Sequence, residues 1–252
     1  LDWFDVVASG ERARKEALVI VEEDGRQTRR TWRQLSRRSN QVANWFRATG
    51  IKRGDRVILM LTNQVELWEI MLAGIKHGVV MIPTTTQMGP SDLADRVDRG
   101  GAQWAIARAE DLAKFSDVPG SYTLISVDTP SGTALNYTDS TSHSEEYTPD
   151  VPTRGDETLL LYFTSGTTSK AKLVEHTHTS YPVGHLSTMY WIGLEPGDVH
   201  LNVASPGWAK HAWSNVFAPW IAEATVFIYN YARFDAKALM EQMDAEQVTS
   251  FC

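Results

Sequence analysis

Strand-like and helix-like segments alternate along most of this 252-residue chain, and this alternation limits the folds that it can adopt. Apolar runs at residues 55–61 and 79–83 are typical of buried strands, and an amphipathic segment at residues 65–77 lies between them. Strands separated by helices favour parallel pairing, because a parallel connection needs a long crossover. The sequence therefore predicts an α/β fold with layered, mainly parallel sheets and flanking helices.

Local signals place further elements. Residues 17–21 and 27–30 flank a turn and predict a hairpin. Thr31 followed by Gln34 has the pattern of a helix capping box, and Gly50 is suited to end that helix. The other predicted strands are residues 103–107, 171–174, 199–203, 225–229 and 248–251, and the other predicted helices are residues 91–99, 179–191, a segment ending near 220, and 234–243.

The composition divides the chain into three parts. Residues 128–156 are rich in Thr, Ser, Pro, Gly, Asp and Glu, and we interpret them as a polar linker or long surface loop. Residues 1–127 are then a first α/β portion, and residues 157–252 a second one. We expect the second portion to stop before the rest of its domain.

Bulk properties exclude several classes of protein. A net charge of −7 argues against a chain that mainly binds nucleic acid. Cys252 is the single cysteine, which rules out an internal disulfide and fits a reducing, cytoplasmic location. No apolar run reaches the length of a transmembrane helix and no signal-peptide pattern occurs, so we expect a soluble protein. The absence of an initiator Met at Leu1 suggests that residues precede this chain.

The segment most suggestive of chemistry begins with the apolar run LLLYF at residues 159–163. It is followed by small and hydroxylated residues and then by two lysines: Thr164, Ser165, Gly166, Thr167, Thr168, Ser169, Lys170, Ala171 and Lys172. A glycine lets the backbone approach a ligand closely, and successive backbone N–H groups in such turns can bind an anion. Five hydroxyl groups add neutral donors, and the Lys172 ammonium adds a cation.

This loop is not a Walker motif, because the pattern G-x-x-x-x-G-K-[ST] is absent. The composition alone is equally compatible with an ordinary hydrophilic hairpin loop. The exact string favours phosphate binding. TSGTTSKAK resembles the phosphate-binding loop of the AMP-forming synthetases, a superfamily that includes acyl-CoA synthetases, peptide-synthetase adenylation domains and luciferases. Ser169, Ala171 and Leu173 depart from the usual Gly, Pro and Gly of that loop.

Other segments extend the resemblance in the expected order. Residues 31–35 are similar to the start of the family's early helix, and residues 74–83 to its second motif. The chain most closely resembles the medium-chain acyl-CoA and acetyl-CoA synthetases. Residues 83–87 resemble a P-x-T-x-Q segment whose Gln contacts coenzyme A, and residues 207–210 resemble a G-W-x-K segment near the acyl and pantetheine tunnel. By this resemblance Gln87, Gly207, Trp208 and His211 are predicted coenzyme A or acyl-binding residues.

The resemblance implies a ligase that uses ATP, Mg²⁺ and coenzyme A. A short- or medium-chain carboxylic acid would attack the α-phosphate of ATP, and coenzyme A would then take the acyl group and release AMP. Residues 164–172 would hold the β- and γ-phosphates, with Lys172 as the catalytic cation. Later family motifs are absent, so we expect an N-terminal portion that needs its missing C-terminal part and is inactive alone. A homo-oligomer is possible.

Two alternatives remain open. The acyl group could pass to a carrier protein instead of coenzyme A, or the chain could be a non-catalytic nucleotide- or acyl-binding homologue. Several histidines also invite comparison with a metal site. However, no Cys or carboxylate lies at ligand spacing from His176 and His178, so we predict no metal site built from these residues. For Gln87 and Trp208, a polar loop residue and a core residue are the simpler interpretations.

Overall fold

The computed structural model describes residues 2–164 and 171–252. The helices of these residues are α1 (Asp2–Ser9), α2 (Trp32–Thr49), α3 (Val65–His77), α4 (Pro90–Asp98), α5 (Ala109–Leu112), α6 (Ser180–Ile192), α7 (Ala209–Ala212), α8 (Ala218–Ile221) and α9 (Ala236–Ala245). The strands are β1 (Glu16–Glu22), β2 (Gln27–Thr31), β3 (Arg56–Met60), β4 (Val80–Pro83), β5 (Trp104–Ala107), β6 (Thr123–Ser126), β7 (Leu135–Asn136), β8 (Thr158–Thr164), β9 (Lys172–Thr177), β10 (Val199–Leu201), β11 (Thr225–Asn230) and β12 (Ser250–Phe251).

The strands form two sheets. A seven-stranded sheet has the order β7-β6-β5-β3-β4-β8-β9, and a five-stranded sheet has the order β12-β10-β11-β1-β2. Pairing is parallel except between β8 and β9 and between β1 and β2. The predicted mainly parallel α/β fold is therefore confirmed. Each predicted α/β portion contributes strands to both sheets, since β8 pairs with β4 and β11 pairs with β1.

The capping signals of α2 operate as the sequence predicts. The backbone N–H of Gln34 donates to the Thr31 hydroxyl over 3.2 Å, and the Gln34 side chain accepts from the Thr31 N–H over 2.8 Å. Gly50 ends the helix with φ of 91°, a left-handed conformation that glycine adopts without a Cβ penalty. These contacts fix both ends of α2, the helix that lies between β2 and β3 in the chain.

Several elements differ from the sequence-based expectation. Helix α1 and strands β6 and β7 were not predicted; all three are short. Strand β10 ends at Leu201 rather than at residue 203, since the Asn202 side chain accepts from the Ala204 N–H at 2.6 Å and starts a turn. The helix expected to end near residue 220 contains a π-helical segment, Trp213–Phe217, between α7 and α8.

The polar segment at residues 128–156 contains β7 and a 3-10 helix, Tyr137–Ser142. It packs along α2, whose Asn40, Gln41 and Asn44 side chains donate to backbone carbonyls of this segment over 2.8–3.1 Å. The Tyr137 hydroxyl donates to the buried Glu69 carboxylate at 2.6 Å. The division of the chain into three parts stays a prediction. The segment at residues 128–156 is nevertheless held against the rest of the protein by specific hydrogen bonds.

The largest hydrophobic cluster includes apolar side chains from both sheets and from the helices packed on them. Phe4, Trp32 and Trp220 meet within it, with ring centroids 4.8–6.2 Å apart. This shared core fixes the two sheets against one another and so sets the distance between their strand ends. None of the helices in the described part of the chain is long and apolar enough to cross a membrane.

Candidate functional site

A cavity of about 690 Å³ lies where strands of both sheets end. Its walls come from residues at or just beyond the carboxyl ends of β1, β3, β4, β10 and β11: Glu22, Glu23, Asp24, Arg26, Leu61, Thr62, Asn63, Thr85, Thr86, Gln87, Ser205, Pro206, Asn230, Tyr231 and Ala232. Ligands of open parallel α/β sheets bind outside the carboxyl ends of the strands. The position and size of this cavity suit a small-molecule site.

Two predicted binding segments touch each other at this cavity. Gln87 lines it and is exposed, and the segment before it follows β4. Gly207 has φ of 92°, and a Cβ at this position would lie 2.3 Å from the Thr85 backbone nitrogen. Only a glycine fits both this conformation and this approach. The structure therefore brings residues 83–87 and 207–210 together, although more than a hundred residues separate them in sequence.

Trp208 does not belong to the core. Its side chain is 59% exposed, and the residue stands immediately before α7. The simpler interpretation of Trp208 as a packing residue does not fit this exposure. A large exposed aromatic side chain beside a cavity is available to contact a ligand or another part of the protein.

His211 lies one helical turn after Trp208 but is buried. Its Nε2 is 2.9 Å from Asn63 Oδ1, and its ring packs 5.7 Å from the Trp68 ring. Burial lowers the pKa of the His211 imidazole to about 3, so the ring is neutral at ordinary pH. The ring therefore donates Nε2–H to Asn63, and His211 stands behind a cavity residue rather than among the lining residues.

Asn63 links the two sheets at this point. Besides its contact with His211, its backbone carbonyl accepts from Asn230 Nδ2 at 2.9 Å, and the same Nδ2 lies 3.0 Å from Glu22 Oε1. Because Asn63 follows β3 and Asn230 ends β11, these hydrogen bonds cross from the seven-stranded to the five-stranded sheet. These hydrogen bonds fix the cavity walls of one sheet relative to those of the other.

A buried polar layer lies beneath the π-helical segment. The Asn215 side chain donates Nδ2–H to the Asn202 backbone carbonyl over 3.4 Å. The Asn215 backbone carbonyl accepts from the Trp68 indole N–H at 2.8 Å. Asn202 Nδ2 and Asn215 Oδ1 have no hydrogen-bond partner among the described residues. π-helical turns occur often at functional sites, and here the turn carries Asn215, whose half-satisfied amide lies close to that of Asn202 just after β10.

The predicted phosphate loop leaves the seven-stranded sheet at the same edge. Its stem is the antiparallel pair β8–β9, in which Thr164 faces Lys172. Ser165, Gly166, Thr167, Thr168, Ser169 and Lys170 lie outside the described residues. Lys172 is exposed, and Ala171 and Thr164 are partly buried. Since β8 pairs in parallel with β4, the loop and residues 84–87 follow neighbouring strand ends.

Two arginines contact this stem: Arg96 on α4, and Arg99 directly after that helix. Arg99 donates Nη2–H to the Ala171 carbonyl at 2.8 Å and forms a two-point ion pair with Asp95. Arg96 and Arg99 both lie over the Phe163 ring, at 4.8 and 5.5 Å. Burial lowers the pKa of the Arg96 guanidinium, whereas the hydrogen bonds that Arg99 donates to the Asp95 carboxylate raise the pKa of Arg99. Two guanidinium groups thus pack beside the loop's two ends, and Asp95 balances the charge of one of them.

Comparison with known proteins decides the family. Residues 4–252 match the family described as AMP-binding enzyme. The chain belongs to this family. Human acyl-coenzyme A synthetase ACSM3 is 31% identical over 258 residues, covering 99% of this chain and 44% of that protein. The 4-hydroxybutyrate–CoA ligase 1 of Metallosphaera sedula is 34% identical over 255 residues, covering 100% of this chain and 44% of that protein.

Solved structures show the same fold. A Brucella canis acyl-CoA synthetase superimposes with a TM-score of 0.86 at 23% identity, covering 96% of this chain and 45% of that one. The anthranilate CoA ligase AuaEII, in complex with anthranoyl-AMP, gives a TM-score of 0.87 at 21% identity, covering 99% and 48%. This AMP-binding chain therefore spans less than half the length of the relatives it matches here.

Some cavity residues of this AMP-binding chain were missed by sequence reasoning. Asn63, Asn230 and the acidic turn at residues 22–24 were not singled out. One signal could have found them, because each lies just beyond a predicted strand, where parallel sheets place their ligands. Their convergence depends on strand order, which the sequence alone does not show.

No group of three or more His, Cys, Asp or Glu side chains that could hold a metal ion occurs in residues 2–164 and 171–252. His176 is instead surrounded by aromatic rings, with Tyr181 at 4.7 Å and Tyr162 at 6.1 Å. Burial lowers its pKa, which fits a ring packed against apolar neighbours.

Proposed function

We propose that this chain is the N-terminal portion of an AMP-forming acyl-CoA synthetase. The full-length enzyme joins a short- or medium-chain carboxylic acid to coenzyme A at the expense of ATP. The single observation that carries this proposal is the convergence, at one edge of the two sheets, of the β8–β9 stem, the Gln87 segment and the Gly207 segment. Two relatives support it, one named an acyl-coenzyme A synthetase and one a CoA ligase, at 31% and 34% identity.

The first half-reaction is acyl-adenylate formation. A carboxylate oxygen of the acid attacks the α-phosphorus of ATP, the bond to the bridging oxygen breaks, and pyrophosphate leaves with the electron pair. This chemistry needs positioning and charge stabilisation rather than a protein nucleophile. We assign residues 164–172 to the β- and γ-phosphates. The exposed Lys172 ammonium at the start of β9 supplies positive charge where pyrophosphate charge develops.

Mg²⁺ enters this proposal as part of the nucleotide substrate. The described residues supply no cluster of acidic ligands for a resident ion. Mg²⁺ in phosphoryl-transfer sites is commonly held by substrate phosphates together with one or two carboxylates, and it keeps several water ligands. We therefore assign no residue of this chain to the metal.

The second half-reaction is thioester formation. The thiol of coenzyme A attacks the acyl carbonyl, the acyl–phosphate bond breaks, and AMP leaves. We assign Gln87 and the Gly207-Trp208 turn to coenzyme A or to the acyl chain, because Gln87 lines the 690 Å³ cavity and Gly207 lies against the backbone of Thr85, another lining residue. His211 is neutral and held by Asn63, so we assign it a supporting position behind that wall rather than proton transfer.

The proposal includes the arrangement of the whole enzyme. The relatives are more than twice as long as this chain, which covers 44% of them. We propose that residues 1–127 and 157–252 form two portions of the AMP-binding domain around the polar segment, and that a C-terminal part completes the site. Residues 1–252 alone should release no AMP. We further propose a cytoplasmic location, which cell fractionation would test; the human relative's name describes it as mitochondrial.

The test is ATP–pyrophosphate exchange by the full-length protein with acids from acetate to dodecanoate and with benzoate. Exchange with a subset of acids would establish adenylation and define the acid class. Added coenzyme A should then accelerate AMP release, and acceleration by a carrier protein instead would replace the proposed acceptor. No exchange with any acid by a folded protein would make a non-catalytic binding homologue the better interpretation.

A further inference from the structure

The segment that carries Gln87 leaves the seven-stranded sheet directly after β4. The Thr84 N–H donates to the Leu59 carbonyl at 2.9 Å, which continues the pairing of β4 with β3 by one residue. Thr84 and Thr85 are buried, Thr86 is partly buried, and Gln87 is exposed. The position of Gln87 at the cavity therefore depends on contacts that the backbone makes after it has left the sheet.

The peptide group between Thr86 and Gln87 is held at both of its polar ends. The Thr86 carbonyl accepts from Lys114 Nζ at 2.5 Å, and the Gln87 N–H donates to a threonine hydroxyl, that of Thr85, over 3.4 Å. The Met88 N–H donates to the Thr85 carbonyl at 3.2 Å and closes the turn. Because a peptide group is planar, its orientation sets the direction in which the next side chain leaves the backbone. Lys114 therefore acts on the direction of the Gln87 side chain.

Lys114 reaches this carbonyl from an element that follows β5. It lies in the 3-10 turn Ala113–Phe115, directly after α5. Its Nζ also donates to the Asp111 carboxylate at 2.6 Å, and the Asp111 side chain is largely buried. Hydrogen bonds from an ammonium group are about twice as strong as those between neutral groups. One cation thus connects a buried carboxylate to the backbone beside the cavity.

The turn that carries Lys114 is itself anchored in the core. Leu112 and Phe115 lie before and after it and are both buried. The Phe115 ring packs 5.8 Å from the Tyr122 ring, and the Tyr122 hydroxyl donates to the Phe115 carbonyl at 3.0 Å. A group on an anchored element fixes its hydrogen-bond partner more accurately than a group on a mobile loop does.

The ammonium group is engaged within the protein rather than directed at a ligand. Lys114 is not among the described residues that line the 690 Å³ cavity, whereas Thr86 and Gln87 line it. Two of the three ammonium hydrogens are used by the Thr86 carbonyl and the Asp111 carboxylate. Asp111 also balances the Lys114 charge. The geometry therefore favours a role that acts through the cavity wall.

We propose that Lys114 is a positioning residue for the coenzyme A half-reaction. It holds the peptide group between Thr86 and Gln87 so that the Gln87 amide faces the cavity, and it contributes to coenzyme A binding only through Gln87. This inference rests on the proposed function, because that proposal assigns Gln87 to coenzyme A. A binding group that is already oriented loses less conformational freedom when the ligand arrives. Lys114 has no part in adenylation.

Hydrogen–deuterium exchange of the full-length protein tests this positioning without depending on activity. Lys114→Met removes the ammonium group and keeps a side chain of similar length. Lys237→Met is the matched control, because Lys237 is an exposed lysine paired with Glu241 on α9. We expect peptides that span residues 84–88 to exchange at least about tenfold faster in Lys114→Met, since the turn opens more often, and at an unchanged rate in the control. An unchanged rate in Lys114→Met would overturn the proposal.

A second variant controls for a general loss of stability. Lys114→Met takes the ammonium away from the largely buried Asp111 carboxylate, and an uncompensated buried charge is destabilising by itself. Asp111→Asn combined with Lys114→Met removes that charge as well. Residues 84–88 should exchange as fast in this double variant as in Lys114→Met, because both lack the donor to the Thr86 carbonyl. Slow exchange in the double variant would contradict the proposal, since the unpaired carboxylate would then explain the single variant.

Enzyme kinetics test whether Lys114 acts through Gln87. KM for coenzyme A should rise in Lys114→Met by no more than the roughly 2- to 12-fold expected for loss of the Gln87 amide, while ATP–pyrophosphate exchange stays unchanged. In a Gln87→Ala background, Lys114→Met should change this KM by less than about twofold, because substitutions that remove the same contact are not additive. An equal rise in both backgrounds would overturn the proposal, since Lys114 would then act on coenzyme A directly.

Failure of the proposed function gives a different pattern. In that case neither Gln87→Ala nor Lys114→Met would change KM for coenzyme A, while residues 84–88 would still exchange faster in Lys114→Met. That result would remove the assignment of Gln87 to coenzyme A and would establish that Lys114 holds the segment. If Gln87→Ala raised KM for coenzyme A and Lys114→Met did not, the assignment of Gln87 would stand and the positioning role would be lost.

Discussion

The β8–β9 loop and the 690 Å³ cavity are built in opposite ways. The loop belongs to a single hairpin, whose stem pairs Thr164 with Lys172. The cavity is assembled from the ends of five strands in two sheets, with lining residues from Glu22 to Ala232. Consequently the loop can be recognised in a short string of residues, whereas the cavity exists only after the sheets have formed. The local sequence is therefore enough to predict the loop, whereas the cavity depends on the order of the strands in the two sheets.

The two regions also differ in charge and burial. Lys172 is exposed at the stem, and Arg99 reaches the Ala171 carbonyl beside it. Behind the cavity, His211 and Asn63 meet through a hydrogen bond in which both side chains are neutral. We therefore expect substitutions at the stem to affect chemistry first, and substitutions at the cavity to affect stability first.

The largest effect is expected from Lys172→Ala in the full-length enzyme. Losing one preorganised donor to developing charge typically removes about 2.7–4 kcal/mol of transition-state stabilisation, or roughly 10²–10³-fold in rate. ATP–pyrophosphate exchange should fall by this factor, and the urea midpoint should stay close to that of the unmodified protein, because the side chain is exposed. Lys237→Ala, at an exposed lysine of α9, is the control and should leave both measurements unchanged. Undiminished exchange in Lys172→Ala would remove the phosphate-binding assignment.

The cavity should respond through stability when Gly207 is changed to Ala. The new Cβ would lie 2.3 Å from the Thr85 nitrogen, so a backbone segment must move. Gly193→Ala is a matched control, because Gly193 also has positive φ, 79°, but no heavy atom lies within 4 Å of its added Cβ. Overpacking should destabilise Gly207→Ala by about 1–3 kcal/mol more than the control. Equal urea midpoints for the two variants would show that residues 83–87 and the Gly207 turn are not in tight contact.

The sequence predicts local features of the fold, but it does not predict contacts between loops that belong to different sheets. The α2 capping box and α3 were predictable, because capping and amphipathicity act within one or two helical turns. The contact between Gly207 and Thr85 was not, because it depends on two loops from different sheets. Residue type could suggest that Gly207 matters, but not which backbone it approaches.

His211 shows the same limit for a single side chain. Its position after Trp208 suggested a lining residue, whereas the structure buries it against Asn63 and Trp68. Helical spacing shows which residues share a face, but the depth of that face depends on the neighbouring strands. The roles of the predicted site residues accordingly stay predictions, even where the structure brings those residues together.

Measuring the free energy of unfolding against pH tests whether His211, behind the cavity, is neutral in the folded protein. His211 has a folded pKa of about 3 against an ordinary value of 6.5, so its neutral form stabilises the fold above pH 6.5, and that stability is lost as pH falls toward 3. Such a group contributes a slope of about 1.4 kcal/mol per pH unit within this window. His211→Gln keeps a donor for Asn63 and removes the titration, so its unfolding free energy should fall less between pH 6.5 and 5, by about 1–2 kcal/mol.

Asn63→Ala is the informative comparison for this titration. It removes the hydrogen-bond acceptor of His211 but leaves the buried imidazole, so the variant should be less stable at pH 7 while keeping the pH dependence of the unmodified protein. A slope in His211→Gln equal to that of the unmodified protein would show that His211 is not the group responsible. Buried His200, whose pKa burial lowers to about 4, would then be the next candidate.

The smallest effect, and the one that most directly separates the two regions, is expected from Gln87→Ala. Gln87 lines the cavity and is exposed, so its loss should leave the fold and the adenylation half-reaction unchanged. If its amide contacts coenzyme A, removing one neutral hydrogen bond worth about 0.5–1.5 kcal/mol should raise KM for coenzyme A by roughly 2- to 12-fold. Gln242→Ala on α9 controls for a generic loss of an amide. A change in ATP–pyrophosphate exchange without a change in KM for coenzyme A would place Gln87 with the nucleotide, and would join the loop and the cavity wall into one site.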